Sequence, residues 1–170
     1  MSDKTQLDWN FPNFSFMELL KSQTAIRLKI DNFPPAEHEE NLHKLVKEFL
    51  QPLRTKLNMP LVINSGYRCP DLNAAIGSKP SSHHTRGMAV DIECPGVSTA
   101  ELCLFIAESG LSYTQMILEY FTPAISDSGW VHVGVDTNNP KKELLLKERH
   151  APYRQLPIGE LKSLCKKTVN

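Results

Sequence analysis

Two stretches of this chain carry side chains that could hold a metal ion. One runs Ser81-Ser82-His83-His84-Thr85-Arg86-Gly87-Met88-Ala89-Val90-Asp91 and the other is Trp130-Val131-His132, while His38, His43 and His150 stand apart from both. If each stretch ends in a strand, alternation sends Met88, Val90 and Ile92 to one face and Ala89 and Asp91 to the other. Likewise Val131, Val133 and Val135 oppose Trp130, His132 and Gly134. The Asp91 carboxylate and the His132 imidazole therefore point away from the apolar layer. With a loop histidine beside them, His83 or His84, they could surround a divalent cation. Two imidazoles and one carboxylate match a catalytic zinc centre, in which three protein ligands leave the fourth position to water. Strand geometry does not choose between His83 and His84. Residue types alone also leave an ordinary surface or hydrogen-bonded histidine as the competing reading.

Hydrolysis at such a centre needs a base near the water. In Gln115-Met116-Ile117-Leu118-Glu119-Tyr120, alternation sets Glu119 opposite Met116 and Leu118, so it can share a cleft with His132 if the two strands form a hairpin. Asp127 is nearer in sequence and competes for the role, with a solvated loop residue as its ordinary explanation. Arg68 offers a fixed guanidinium, able to hold a substrate carboxylate through two hydrogen bonds or to stabilise charge on a scissile carbonyl. Its alternative is a structural salt bridge. Ser82 could donate to substrate or organise the His84 loop, and Gly87 suits a tight turn into the strand. Tyr67 and Trp130 could line a groove, although aromatics beside strands commonly pack.

The strings Ser65-Gly66-Tyr67-Arg68, Ser82-x-His84-x-x-Gly87-x-Ala89-x-Asp91-Ile92 and Trp130-Val131-His132-Val133 stand in an order that resembles the zinc D-alanyl-D-alanine carboxypeptidase family. That family includes phage peptidoglycan endopeptidases and shares its fold with D-alanyl-D-alanine dipeptidases and the hedgehog signalling domain. The resemblance runs from about Phe14 to His150. It implies zinc ligands at His84, Asp91 and His132, and it favours His84 because the family ligand stands seven positions before the aspartate. His83 is then a loop side chain or a supporting donor. Relatives often carry the base three residues before the last ligand; here that position is Gly129. Glu119 instead resembles the strand-end glutamate of relatives with a longer intervening loop. The matching Ser-Gly-Tyr-Arg string favours a substrate role for Arg68 over a salt bridge.

Helices and strands must position these groups. A short helical piece is expected around Ser15 to Lys21, and a longer helix from near Pro35, since proline suits a first turn. In the longer one Leu42, Leu45, Val46, Phe49, Leu50, Leu53 and Leu57 form an apolar stripe at helical spacing, which Pro52 should kink or split. Pro70 and Asp71 could open a third helix through Ile76, closed by Gly77. Ser98-Thr99-Ala100-Glu101 reads as a capping box, with Leu102, Phe105 and Ile106 inward and Gly110 as the stop. Strands are expected at Leu61 to Asn64, Met88 to Ile92, Gln115 to Tyr120, Trp130 to Val135 and Glu143 to Leu146. The fold class is therefore α+β with a mainly antiparallel sheet flanked by helices; the resemblance implies that it is hedgehog/DD-peptidase-like, with a zinc cleft on the sheet.

With 170 residues, the chain fits a single domain over 1–170, its motif-bearing core at about 14–150 and a C-terminal tail at 151–170. At 41% hydrophobic and 22% charged residues, disordered and membrane-embedded classes fit poorly. Nineteen basic and nineteen acidic side chains cancel, which removes the positive field of a nucleic-acid binder. Met1 to Asn10 lacks the pattern of a secretory signal, so synthesis in a reducing cytoplasm is expected. Cys69, Cys94, Cys103 and Cys165 form no C-x-x-C pair and read as small buried thiols, with a Cys69–Cys94 bridge the one pairing left open. Asn13-Phe14-Ser15 matches a glycosylation sequon that has no meaning without secretion.

The expected activity is a zinc metallopeptidase hydrolysing the peptide stem of bacterial cell wall, with Glu119 as base, Arg68 and Ser82 at the substrate, and one Zn2+ per chain. The resemblance allows either D-Ala-D-Ala carboxypeptidase or L-Ala-D-Glu endopeptidase action. Peptidoglycan stem peptide is the expected partner, with no nucleic acid, no membrane and a monomer by default. The phage-like resemblance implies an endolysin or virion-associated hydrolase, with a bacterial recycling enzyme as the alternative. Three rival readings are a zinc-stabilised non-catalytic module on the same fold, a non-haem iron oxygenase using the same ligand types, and a metal-free α+β binding domain.

Overall fold

Burial of the stripe expected after Pro35 builds the largest helical element. Leu42, Leu45, Val46, Phe49, Leu50 and Leu53 are each at most 1% exposed in the computed structural model, which describes residues 7–167. Burying one such side chain contributes about 1.5–3 kcal/mol. The run begins at α3 (Ala36–Leu45), with Pro35 as its N-cap, and continues to α4 (Gln51–Leu57). The helical run passes through Pro52 without a break. A π-helical turn, Val46–Leu50, precedes the proline, so the Gln51 amide bonds back to Val46 O and the chain absorbs the missing proline donor without leaving helical geometry.

Two short helices precede this run. α1 (Phe16–Leu20) is capped by Ser15, and α2 (Gln23–Leu28), which no sequence signal announced, is capped by Ser22. α5 (Pro70–Ala75) opens on Pro70 as expected. The capping box is formed: Glu101 N donates to Ser98 Oγ at 3.2 Å and Ser98 N to Glu101 Oε2 at 3.0 Å, opening α6 (Thr99–Glu108). Leu102, Cys103 and Ile106 of α6 are fully buried, while Phe105 is only half-buried.

The six-stranded sheet comprises β1 (Val62–Ser65), β2 (Ala89–Glu93), β3 (Gln115–Glu119), β4 (Trp130–Gly134), β5 (Glu143–Lys147) and β6 (Arg154–Gln155), in the order β1-β2-β4-β3-β5-β6. Pairing is antiparallel except between β3 and β5, which run parallel. The architecture is thus α+β with a mostly antiparallel sheet and flanking helices. Val90, Ile92, Met116, Leu118, Val131 and Val133 are fully buried on one face, against the helices.

The stretch read from sequence as a tail holds regular structure. β6 pairs with β5, and α7 (Ile158–Lys167) packs on α6 through buried Leu161 and a Lys162 Nζ to Glu108 Oε1 ion pair of 2.8 Å. All four cysteines are free, so Cys69 and Cys94 are not bridged, and Cys165 is only half-buried. Residues 1–6 of the N-terminal stretch, and 168–170, lie outside the described residues.

Candidate metal centre and cleft

The face of the sheet opposite the core carries the polar residues that alternation placed there. Strand register puts Asp91 of β2 opposite His132 of β4 and, on the other side of β4, Ile117 of β3 opposite His132. A 3-10 turn, His83–Arg86, delivers His84 from below and closes at Gly87 with φ of +70°. The three side chains meet: His84 Nε2 lies 3.2 Å from Asp91 Oδ1 and 3.1 Å from His132 Nδ1, and His132 Nδ1 lies 2.8 Å from Asp91 Oδ1. All three residues are buried.

This donor set fits a tetrahedral ion. Ligand atoms about 2.0–2.1 Å from a zinc stand about 3.3 Å apart in that geometry, close to the spacing here. The protonation pattern points the same way. His84 Nδ1 is 2.6 Å from Gly66 O, a carbonyl that can only accept, so the ring proton sits on Nδ1 and Nε2 presents its lone pair to the carboxylate. The His84 lone pair, the Asp91 carboxylate and a His132 ring nitrogen converge on one point, a donor set suited to a cation.

The local sequence explains why the supports are where they are. Gly66 packs so tightly on α1 that a Cβ would overlap the Leu19 carbonyl, and Tyr67 N donates to the same Leu19 O at 2.8 Å. That contact fixes the Gly66 carbonyl under His84. Arg68 then binds the cluster from its other side. Its Nη2 donates to Asp91 Oδ2 at 3.1 Å, its Nε to Ser65 Oγ at 3.1 Å, and its backbone N to His84 O at 3.1 Å. The salt bridge that sequence reasoning ranked second for Arg68 is therefore present. Of the five guanidinium N–H groups, three are engaged, the third through Nη1 to Ser78 Oγ at 3.4 Å, and one on each Nη has no hydrogen-bond partner among the described residues.

Burial opposes the charge on Asp91, but His84 and His132 overcome it and hold its carboxyl well below the usual carboxylate range. Burial lowers His84, against the pull of Asp91, which favours the neutral form that can ligate. Burial also lowers Arg68 from its ordinary value while Asp91 and Glu119 pull it back.

These groups floor a cleft of about 870 Å³ lined also by Ser82, His83, Glu119, Tyr120, Trp130 and Tyr153. Glu119 is paired with Trp130 across β3 and β4, as a hairpin requires. Burial raises its pKa above the ordinary value; His132 and the Trp130 indole counter that shift. Gly129 cannot carry a base: φ there is +69°, and a Cβ would overlap the Glu119 backbone carbonyl. Asp127 is exposed in the connecting loop and does not line the cleft. The Ser82 hydroxyl does not cap the turn that follows it. His83 stays outside the ligand group and lays its ring on Gly134, where a Cβ would meet His83 Nδ1 at 3.2 Å.

Among the lining residues not anticipated are two tyrosines, Tyr120 and Tyr153. Alternation would send Tyr120 to the core face, but its left-handed backbone, φ +56°, turns it to the cleft and against Trp130, with ring centroids 5.2 Å apart. A non-glycine residue at positive φ at a strand end is the kind of outlier that marks functional sites. Tyr153 stands just before β6, a strand too short to be seen by pattern.

No curated protein matches the chain. The family model described as Peptidase M15 matches residues 12–134, the segment that contains the whole His84, Asp91 and His132 cluster, and on that match the chain belongs to the M15 peptidases, a family of metal-dependent peptide hydrolases.

Proposed function

We propose that this peptidase is a zinc enzyme that hydrolyses a bond within the stem peptide of peptidoglycan. The observation that carries the reading is the convergence of His84, Asp91 and His132 on the floor of a cleft whose next strand presents Glu119. When bound there, zinc supplies Lewis acidity that lowers the pKa of water towards ~7 and polarises the scissile carbonyl.

The remaining chemistry belongs to the chain. Glu119 accepts a proton from the attacking water at a carboxylate oxygen and returns one to the leaving amine. Arg68 keeps Asp91 aligned and turns its two spare N–H groups towards a substrate carboxylate or carbonyl. Ser82 at the cleft wall donates to the peptide. The aromatic rings of Tyr120 and Trp130 flank the groove and exclude water.

Internal cutting, of the L-Ala-D-Glu type, is favoured over removal of a terminal D-alanine. A second depression of about 460 Å³, lined by Lys21, Ser22 and Asn64, shares Ser65, Arg68 and Ile76 with the cleft. That leaves room for peptide on both sides of the reacting bond. Glu119 and Arg68 at the cleft speak against a non-catalytic module. The phage-like resemblance supports delivery to the wall as an endolysin or with a virion. Among the described residues, no helix is long and apolar enough to cross a membrane.

Mass spectrometry of products from defined muropeptides tests the bond assignment: masses for a split between L-alanine and D-glutamate are expected, and loss of a single terminal D-alanine would refute internal cutting. Purified protein should carry about one zinc per chain. Glu119→Gln should keep that zinc and lose about 10²–10⁴-fold in turnover; wild-type speed would remove Glu119 from the role of base.

A further inference from the structure

The Glu119 carboxyl stands in a row of side chains that crosses the sheet. On β4 its register partner is Trp130, and on β5 it is Lys147. In both pairings the partners project to the same face, here the cleft. Lys147 Nζ is in turn 5.3 Å from the centroid of the Tyr153 ring, one residue before β6. Trp130, Glu119 and Tyr153 all line the cleft.

Each aromatic brings one donor to this row. Trp130 Nε1 is buried and completes no hydrogen bond of full geometry, although the Glu119 carboxyl beside it lies near enough to feel the indole N–H. A buried donor left unpaired is costly, of the order of 1–3 kcal/mol, and such groups in native proteins have a reason. Tyr153 is 48% exposed and so does not serve as a core packing residue. Its ring is fixed instead by the Lys147 ammonium, and that ammonium is itself tied to Ala151 O. Burial raises the phenol pKa, and the next cause is the charge of Glu119. Tyr153 lies beyond residues 12–134, in a part of the chain that the family match does not cover.

We propose that Trp130 and Tyr153 are positioning residues for Glu119, an indole N–H from β4 and a phenol O–H from the residue just before β6 that bracket its carboxyl and keep it aimed at the reacting water. This rests on Glu119 being the base. The bracket explains how a glutamate ten residues before Gly129, rather than three before the last ligand, is held in place without a partner on its own strand.

A double-mutant cycle on the zinc-loaded protein tests it, using initial rates on isolated peptidoglycan. Tyr153→Phe is expected to slow wild type about tenfold, with zinc content and Tm unchanged, and to cause no further slowing in the Glu119→Gln background. Trp130→Phe should behave alike; because Trp130 also packs, the half-exposed Tyr153 carries the test if that variant fails to fold. No slowing, or the same fold loss in both backgrounds, would overturn the proposal. If Glu119→Gln is itself as fast as wild type, the assignment of the base fails and this inference falls with it. A readout independent of turnover is the Tyr153 phenol titration, isolated by subtracting the Tyr153→Phe spectrum in metal-free protein. It should move to lower pH in Glu119→Gln, and an unmoved titration would contradict the contact.

Discussion

Replacing Gly66 by alanine attacks the metal site without touching a ligand. The added Cβ overlaps the Leu19 carbonyl, so either α1 or the Gly66 peptide must shift, an overpacking cost of about 1–3 kcal/mol. For a chain of this size that lowers the Tm of metal-free protein by roughly 2–12 °C. The same shift moves the carbonyl that accepts from His84 Nδ1 at 2.6 Å. Loss of such an orienting partner typically weakens metal binding 10–100-fold. At free zinc about 100 times the wild-type Kd, binding stabilises wild type by about 2.7 kcal/mol; the weaker site would keep only about 0.4–1.4 kcal/mol. Two measurements separate the effects: thermal unfolding with and without zinc, and zinc affinity by competition with a chelator. A variant that unfolds earlier yet binds zinc as tightly as wild type would refute the argument that this carbonyl sets the His84 lone pair.

Further outcomes follow from the same geometry. Asp91→Asn keeps the shape but removes the anionic ligand, so dialysed protein should retain no stoichiometric zinc; undiminished metal content would contradict the ligand set. Arg68→Lys preserves charge but not the planar fork that serves Ser65 and Asp91 together, and kcat/KM on muropeptides should fall about tenfold or more with the fold intact by circular dichroism. The raised pKa of Glu119 sets the pH dependence. The base works ionised, so kcat/KM should fall as pH drops through a value above that of an ordinary glutamate. An acid limb at the ordinary glutamate position would show that the group is not desolvated, and its persistence in Glu119→Gln would assign it elsewhere.

The inner workings of the site were legible where side-chain alternation governs. Asp91 and His132 could be set on the polar face because Val90, Ile92, Val131 and Val133 demanded the other, and Glu119 followed by the same rule from Met116 and Leu118. Helix starts were legible where a cap or a proline stands, as at Ser98 and Pro70. Elements whose information is not in their own residues were missed. α2 buries only Ala25 among its residues, β6 spans two residues and exists because β5 offers an edge, and α7 is stabilised by its contact with α6. The Arg68 to Asp91 bridge was ranked second because the Ser-Gly-Tyr-Arg string favoured a substrate role; the register shift between Ile63 and Ser65, which brings Ser65 opposite Asp91, is invisible to periodicity. Tyr120 escaped because its left-handed backbone breaks the alternation that located its neighbours.

The parallel pairing of β5 with β3 has a consequence for where this chain can be cut. β3 is an interior strand only because residues 143–147 return beside it. A polypeptide shortened to the family-matched segment, ending at Gly134, would leave the Gln115–Glu119 backbone with a full row of unmet amides and carbonyls along an open edge, and the apolar Leu144 and Leu146 would no longer cover that side. Such an edge invites intermolecular strand addition, so the minimal catalytic motif and the minimal soluble fragment of this protein are different lengths of chain.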